Sequence, residues 1–335
     1  MILILGTLLF SLIVALVAAW GALALWYQTR RSVAMLRRRS LGMLCAALWA
    51  VFGLACAGAL WRGHLGAGVA VFALAHGLLL IWWRGLRPSN DRDWTDDVAQ
   101  TVAGKIDGNV VTLDKVRDFI WRSNDDYTPR WITQSYDLAR LRSLDMIVSY
   151  WALPSIAHML ISFGFGENDY VVFSVEIRRQ KDQTFSEIGG FFKEFELVVI
   201  AAQERDIVRL RTNVRREDTY LFRMNFEPAV MRALFLAYVA EANALAREPR
   251  FYHTITGNCT TVLYRMLKRI VRRLPFSYRV LLSGYMPEYF YGIGYLDQRY
   301  PLEELRAFGY VSERGRIADE SPTYSADIRR GIPPL

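Results

Sequence analysis

Three nearly unbroken apolar stretches open the chain, over residues 2–26, 41–61 and 67–83. Each approaches the roughly 20 residues that a helix needs to cross a bilayer. The first is too long and too uniform for a secretory signal peptide, and no small-x-small cleavage site with a polar start follows it. The pattern predicts three transmembrane helices. Ala and Gly dilute the third, so a buried or re-entrant helix is its alternative. The apolar pattern breaks at "RPSNDRDW" (87–94), where Pro, Ser, Asn and Asp mark an exit. This divides the chain into a membrane region, 1–86, and a soluble domain, 87–335.

Beyond that point the period changes twice. "GKIDGNVVTL" signals a hairpin with Asp107-Gly108 at its turn. "WITQSYDL", "LDMIVSYWAL", "PSIAHMLISFGF", "DYVVFSVEIRR", "FELVVIAAQ" and "DTYLFRMNF" read as further short strands. Between Pro228 and Pro249, Met231, Leu234, Phe235, Tyr238 and Leu245 recur at helical spacing. A second helix follows Cys259. Its apolar stripe is Val262, Leu263, Met266, Leu267, Ile270, Val271 and Leu274; Arg265, Lys268, Arg269, Arg272 and Arg273 lie opposite. That basic face is either an ordinary solvated surface or one that meets anionic headgroups. The aromatic, Gly/Pro-punctuated C-terminal segment reads as irregular with short helices. Antiparallel strands followed by helices make the soluble domain α+β.

Charge changes the picture in one respect. The net charge is +8, and Arg30, Arg31, Arg37, Arg38 and Arg39 fall between the first two spans. The positive-inside tendency places that loop, 27–40, in the cytoplasm, and three spans then leave the soluble domain there too. No basic, aromatic-studded sheet or recognition helix is visible, so nucleic acid is not an expected partner. No metal-ligand cluster or cofactor motif is visible either.

The candidate chemistry gathers around "TGNCTTVLYRMLKRI" (256–270). Asn258 is a favoured N-cap residue, which places Cys259 in the first turn of its helix. Unpaired amides and the positive end of the helix dipole favour an anion there, hence the thiolate. The bland alternative is a buried cysteine packing as a small hydrophobe. A cysteine nucleophile calls for a histidine base. His64 lies between spans and His76 within one; His158 and His253 remain. His253 is close in sequence but reads equally as a surface loop residue. His158 interrupts an apolar strand, on one face with Ile156, Leu160 and Ser162. In the next strand Ser174, Glu176 and Arg178 share a face. If the two strands form a hairpin, an acceptor at Ser174 or Glu176 holds the imidazole in the required tautomer. A satisfied core histidine beside a structural Glu–Arg pair is the competing reading.

The order His, acidic residue, Cys reverses that of papain-like enzymes and looks like the circularly permuted papain-like folds of the NlpC and lecithin–retinol acyltransferase type. More specifically, "SIAHMLISFGF", "SVEIRR", "ERDIVRLRT" and "FYHTITGNCTT", with "PSNDRDWTDDVA" and "VTLDKVRDFIWRS" upstream, resemble the Lnb-type bacterial lipoprotein N-acyltransferases and the uncharacterised domains around them. The likeness spans roughly residues 88–290. It implies a membrane-anchored thiol acyltransferase at the outer face of the inner membrane. Such an enzyme takes an acyl chain from a phospholipid onto Cys259 and passes it to an amine, the N-terminal cysteine of a diacylated lipoprotein. By motif match the nucleophile falls on Cys259 and the base on His158. Glu176 is the choice for the third position, with Asn258, Ser174 and Arg178 in support. No cofactor and no metal is implied. The spans precede the domain here, whereas a domain-first arrangement is also similar to the family. The resemblance places the domain in the periplasm, where three spans from a cytoplasmic N-terminus deliver it, and this conflicts with the arginine-rich loop 27–40 under the positive-inside tendency. A tethered NlpC-like cysteine peptidase or amidase, and a non-catalytic membrane-anchored binding module, are the alternatives.

Overall fold

The computed structural model describes residues 2–30 and 36–335, which divide into two compact units. Arg31 of the arginine cluster lies outside the described residues, as do the side chains of Arg30, Arg37, Arg38 and Arg39. The first unit comprises Met1–Asp93, Arg179–Glu196 and Phe251–Thr254. The second comprises Trp94–Arg178, Leu197–Arg250 and Ile255–Leu335. The division expected at 86/87 therefore falls a few residues later, and two downstream segments belong with the membrane region.

In the first unit α1 (Ile2–Arg30), α2 (Leu36–Trp61) and α3 (Leu65–Gly85) carry the three apolar stretches, each long and apolar enough to span a bilayer. Leu5, Leu9, Leu12 and Leu16 on α1 and Leu48 and Leu54 on α2 are exposed, as lipid-facing side chains are. Val14, Ala18, Cys56 and Phe72 pack inward. Gly53 has no room for a Cβ beside Ala18, the close approach that small residues permit between membrane helices. The segment Arg179–Glu196 docks on this bundle. Gln28 Nε2 donates to the Phe192 and Lys193 carbonyls at 2.5 and 3.0 Å, Tyr27 stacks on Phe192, and Lys193 reaches the Trp83 carbonyl at 2.8 Å.

The second unit is α+β. Its strands are β1 (Ala103–Asp107), β2 (Val110–Arg117), β3 (Ile120–Trp121), β4 (Tyr127–Thr128), β5 (Trp131–Asp137), β6 (Ser143–Tyr150), β7 (Ala157–Gly164), β8 (Tyr170–Arg178), β9 (Glu196–Ala202) and β10 (Asp218–Arg223). Among the described residues the main sheet runs β1-β2-β9-β8-β7-β6-β10, with β5 also on β2; the pairs β1–β2, β2–β5, β7–β8, β6–β7 and β6–β10 are antiparallel, and β2 meets β9 in parallel. The expected first hairpin forms, but Asp107 pairs with Val110, so the turn residues are Gly108 and Asn109. Gly108 takes a φ of 58°, which glycine supplies without steric penalty.

Strand alternation sorts the side chains between two faces. Phe163 and Phe173 meet Phe235 and Tyr238 of α5 (Pro228–Arg247) on one. Helix α5 is itself long and apolar enough to cross a membrane, yet its stripe Met231, Leu234, Phe235, Tyr238 and Leu245 is buried within this unit. On the other face Leu160, Val172 and Leu221 pack with Ile207 of α4 (Glu204–Arg209) and with Val311, Tyr324 and Ile328 from the C-terminal segment. That segment is irregular with short helices, as its composition suggests.

A buried charge cluster locks the C-terminal segment to the sheet. Asp145 and Glu204 are fully buried; Arg329 bonds the first at 2.8 Å and the second at 2.6 Å, Arg223 bonds Asp145 at 2.5 Å, and Ser162 donates to Glu204 at 2.6 Å. Removing one partner leaves buried charge uncompensated, a loss of about 3–5 kcal/mol. Arg329→Leu is therefore expected to lower the thermal unfolding midpoint in detergent by several degrees. An unchanged midpoint would show that the cluster contributes little.

Candidate functional site

Helix α6 (Cys259–Ile270) begins in a complete capping box. Asn258 Oδ1 accepts from the amides of Thr260 and Thr261 at 3.1 and 2.8 Å, and the Asn258 amide donates to Thr261 Oγ1 at 3.1 Å. Thr260 Oγ1 donates to the Val280 carbonyl at 2.6 Å, pinning the helix start from a second direction. Cys259 is the first residue of this helix and is buried. Two of the first-turn amides are thus spent on the cap, while the dipole still favours negative charge at the Cys259 position.

The hairpin expected of β7 and β8 forms in the register Leu160↔Ser174. Two residues farther on, that register sets His158 opposite Glu176. The His158 Nε2 lies 2.8 Å from Ser174 Oγ and 2.9 Å from Glu176 Oε1, and Ser174 Oγ donates to Glu176 Oε1 at 2.7 Å. With both oxygens gathered at Nε2, the neutral ring keeps its proton there, and Nδ1 is the nitrogen that gains or loses the second one. Helix α6 packs against β7 and β8, which brings the Cys259 thiol near enough to act on the charge of this imidazole. Burial opposes charge on His158, but Glu176 and the bonds to Cys259 and Glu176 outweigh it and the neighbouring Arg211, raising the imidazolium to about 9. For Glu176 burial likewise opposes charge, and His158, Arg211 and Ser174 overcome it, holding the carboxyl well below the usual carboxylate range.

Cys259, His158, Glu176, Ser174 and Asn258 are thereby brought together. Arg178 is placed differently: it donates to the Val98 and Ala99 carbonyls at 3.0 and 2.7 Å and stacks on Trp94 at 4.5 Å. The arginine beside Glu176 is Arg211, at 3.6 Å, which also pairs with Glu217 at 3.3 Å. His253 belongs to the other unit, where its ring meets Phe191 edge-on. Helix α6 stops at Ile270, so Arg272 and Arg273 lie past its end and are not part of one helical face.

One further residue comes into the site. Arg211 sits in the π-helical turn Leu210–Val214, a rare conformation that often marks functional positions. Its signal was present in the string "ERDIVRLRT" but carried no role. Tyr238 counts as one core position in a stripe, yet its phenol is raised by burial and by the nearby Cys259. A cavity of about 320 Å³ lined by Asp118, Arg130, Arg205, Arg209 and Glu320 shares no residue with the Cys259 site.

The arrangement supplies a thiol, a base of fixed tautomer, and an anion that stabilises the protonated base. It is the equipment of thiolate chemistry on a carbonyl. Residues 127–284, just under half the chain, match the family described as Lnb N-terminal periplasmic domain. The Lnb-type resemblance carried by the sequence motifs is therefore shown over this segment, which includes His158, Glu176 and Cys259. The matched segment follows three helices long and apolar enough for a membrane. No curated protein and no solved structure matches it.

The pair His158–Glu176 sets a pH signature. An imidazole whose folded value of about 9 exceeds its ordinary 6.5 contributes stability fully below 6.5 and loses it as pH rises toward 9. A carboxyl depressed from 4.5 contributes above that value and loses it only in strong acid. The stability difference between the native chain and Glu176→Gln should be largest near pH 5–6.5 and shrink as pH climbs through about 9. A difference flat across that range in thermal unfolding would show that the pair is not ionised together. Alkylation of Cys259 near neutral pH should also slow in His158→Ala and not in His253→Ala.

Proposed function

We propose that the chain is a membrane-anchored thiol acyltransferase of the permuted papain-like type, working at the periplasmic face of the bacterial inner membrane. The observation that carries this reading is the bonded set Ser174–Glu176–His158 held against a thiol at a capped helix start. His158 Nδ1 takes the proton of Cys259. The thiolate attacks an ester carbonyl of a phospholipid, and the tetrahedral oxyanion meets the Cys259 amide, which the cap does not use. Collapse forms a thioester and breaks the ester bond; His158 returns the proton to the departing lysophospholipid oxygen. The α-amine of a diacylated lipoprotein then attacks the thioester, its proton passes to His158, and the thiol is restored as the amide forms. Glu176, kept ionised against burial by His158 first and then by Arg211 and Ser174, stabilises the imidazolium at both stages. Three apolar helices suit this chemistry, since both substrates reside in a membrane.

The test is intact mass of the full chain after incubation with phospholipid vesicles. An acyl adduct should appear on Cys259 and be chased by a diacylated lipopeptide with a free amino terminus. Cys259→Ala should form no adduct. His158→Ala should lose on the order of 10³-fold or more in rate, and Glu176→Gln less. His253→Ala should keep most activity. Transfer by Cys259→Ala would overturn the reading. Release of free fatty acid with no amide product would turn it into a hydrolase.

A further inference from the structure

The turn between β6 and β7 is the exposed apolar run Trp151-Ala152-Leu153-Pro154, with Trp151 and Leu153 44% and 61% accessible. A second run lies after α6, where Phe276 and Tyr278 are 64% and 60% accessible and Leu281 and Leu282 are also exposed. The chain separates these runs by more than a hundred residues, yet they are fastened together. The Gly284 amide donates to the Ser155 carbonyl at 3.1 Å, the Ala157 amide to Ser283 Oγ at 2.9 Å, and Tyr150 Oη to the Gly284 carbonyl at 2.6 Å. Gly284 is required there, because a Cβ would run into the Pro154 carbonyl.

Monomeric soluble surfaces rarely gather large apolar side chains in this way; such patches mark a partner or a membrane. Charge decides which. Arg272, Arg273 and Arg279 lie in the second run, and neither 150–157 nor 271–285 contains an acidic residue. Trp, Tyr, Phe and Leu with arginines at their margin is the composition that settles at the headgroup level of an anionic bilayer. The patch also borders the thiol site. His158 is the second residue of β7, directly after the first run, and Thr260, next to Cys259, bonds the Val280 carbonyl in the second.

We propose that these two fastened runs form an interfacial docking tip that enters the headgroup region of an anionic phospholipid surface and presents lipid esters to Cys259. The inference rests on the acyltransferase reading for its purpose, but its test does not need the chemistry. The full chain carrying Cys45→Ala, Cys56→Ala and Cys259→Ser is given one reporter cysteine by Leu153→Cys, Phe276→Cys or, as a control, Ile317→Cys; Ile317 is 79% exposed on another surface. Each is labelled with an environment-sensitive fluorophore and reconstituted into phosphatidylglycerol-containing vesicles bearing a shallow nitroxide lipid. Quenching is expected at 153 and 276, several-fold above that at 317, and weakened by high salt. Equal quenching at all three positions, or none at 153 and 276, overturns the tip. So does cross-linking between copies through 276 without quenching, which would make the patch a self-association face. Quenching as expected in a protein whose native form never acylates Cys259 would uphold the tip while ending the acyltransferase reading. In the native background, Leu153→Asp with Phe276→Asp should slow acyl loading from vesicles about ten-fold. Alkylation of Cys259 by a small water-soluble reagent should be unchanged; equal loss of both would assign the patch a folding role and overturn the proposal.

Discussion

A carboxylate closed in between two strands must be compensated or it does not remain charged. Glu176 meets that demand with His158, Ser174 and Arg211, and each partner is supplied by a different structural decision. The β7–β8 register sets His158 and Ser174 beside it. The π turn after α4 delivers Arg211. Glu217 and Ser149, which bond at 2.6 Å, then continue the chain of charges, since Arg211 also needs an anion on its far side. One largely enclosed negative group thus orients the imidazole and positions an arginine.

The nucleophile half obeys a separate rule. Cys259 owes its position to the requirement that first-turn amides find partners. Asn258 and Thr261 satisfy them reciprocally, and Thr260 ties the same turn to the segment around Val280. A cysteine held at such a point gains the helix dipole without exposing its sulfur. The two halves meet at the imidazole, whose charge is set from the strand side.

Much of this was legible in the sequence because strands and caps are local. The two-residue alternation of "SIAHMLISF" and "DYVVFSVEIRR" puts His158 on one face of its strand and Ser174 and Glu176 together on one face of the next, which a hairpin brings together, and Asn258 marks the helix start. What escaped was set by distance. Arg178 shares the strand face of Glu176, but Trp94 and the Val98 and Ala99 carbonyls hold it. Arg211 lies on a π turn, a conformation that periodicity does not register. Arg272 and Arg273 continued the helical spacing on paper, but Val271 is already extended at φ −96° and ψ 121°, and the helix has ended. The segment Arg179–Glu196 joins the membrane-region unit through Gln28 and Tyr27, contacts that span more than 150 positions.

The chain order has its own consequence. His158 and Glu176 are near neighbours in one hairpin, whereas Cys259 arrives after β9, α4, β10 and the 20-residue α5. Local contacts form with little loop entropy, and distant ones wait for the rest of the sheet and α5 to be in place. The electrostatic half of the site can therefore organise as part of the sheet, independent of the thiol. In papain-like order the cysteine helix comes first and the base must be brought to it; here the base is built into the framework and the cysteine helix is added to it. On the acyltransferase reading, the charged pair serves the sheet as well as the chemistry, while the cysteine is there for the chemistry. Substitutions on the two sides should separate accordingly, with stability and reactivity falling together on the strand side and reactivity falling alone at the helix start.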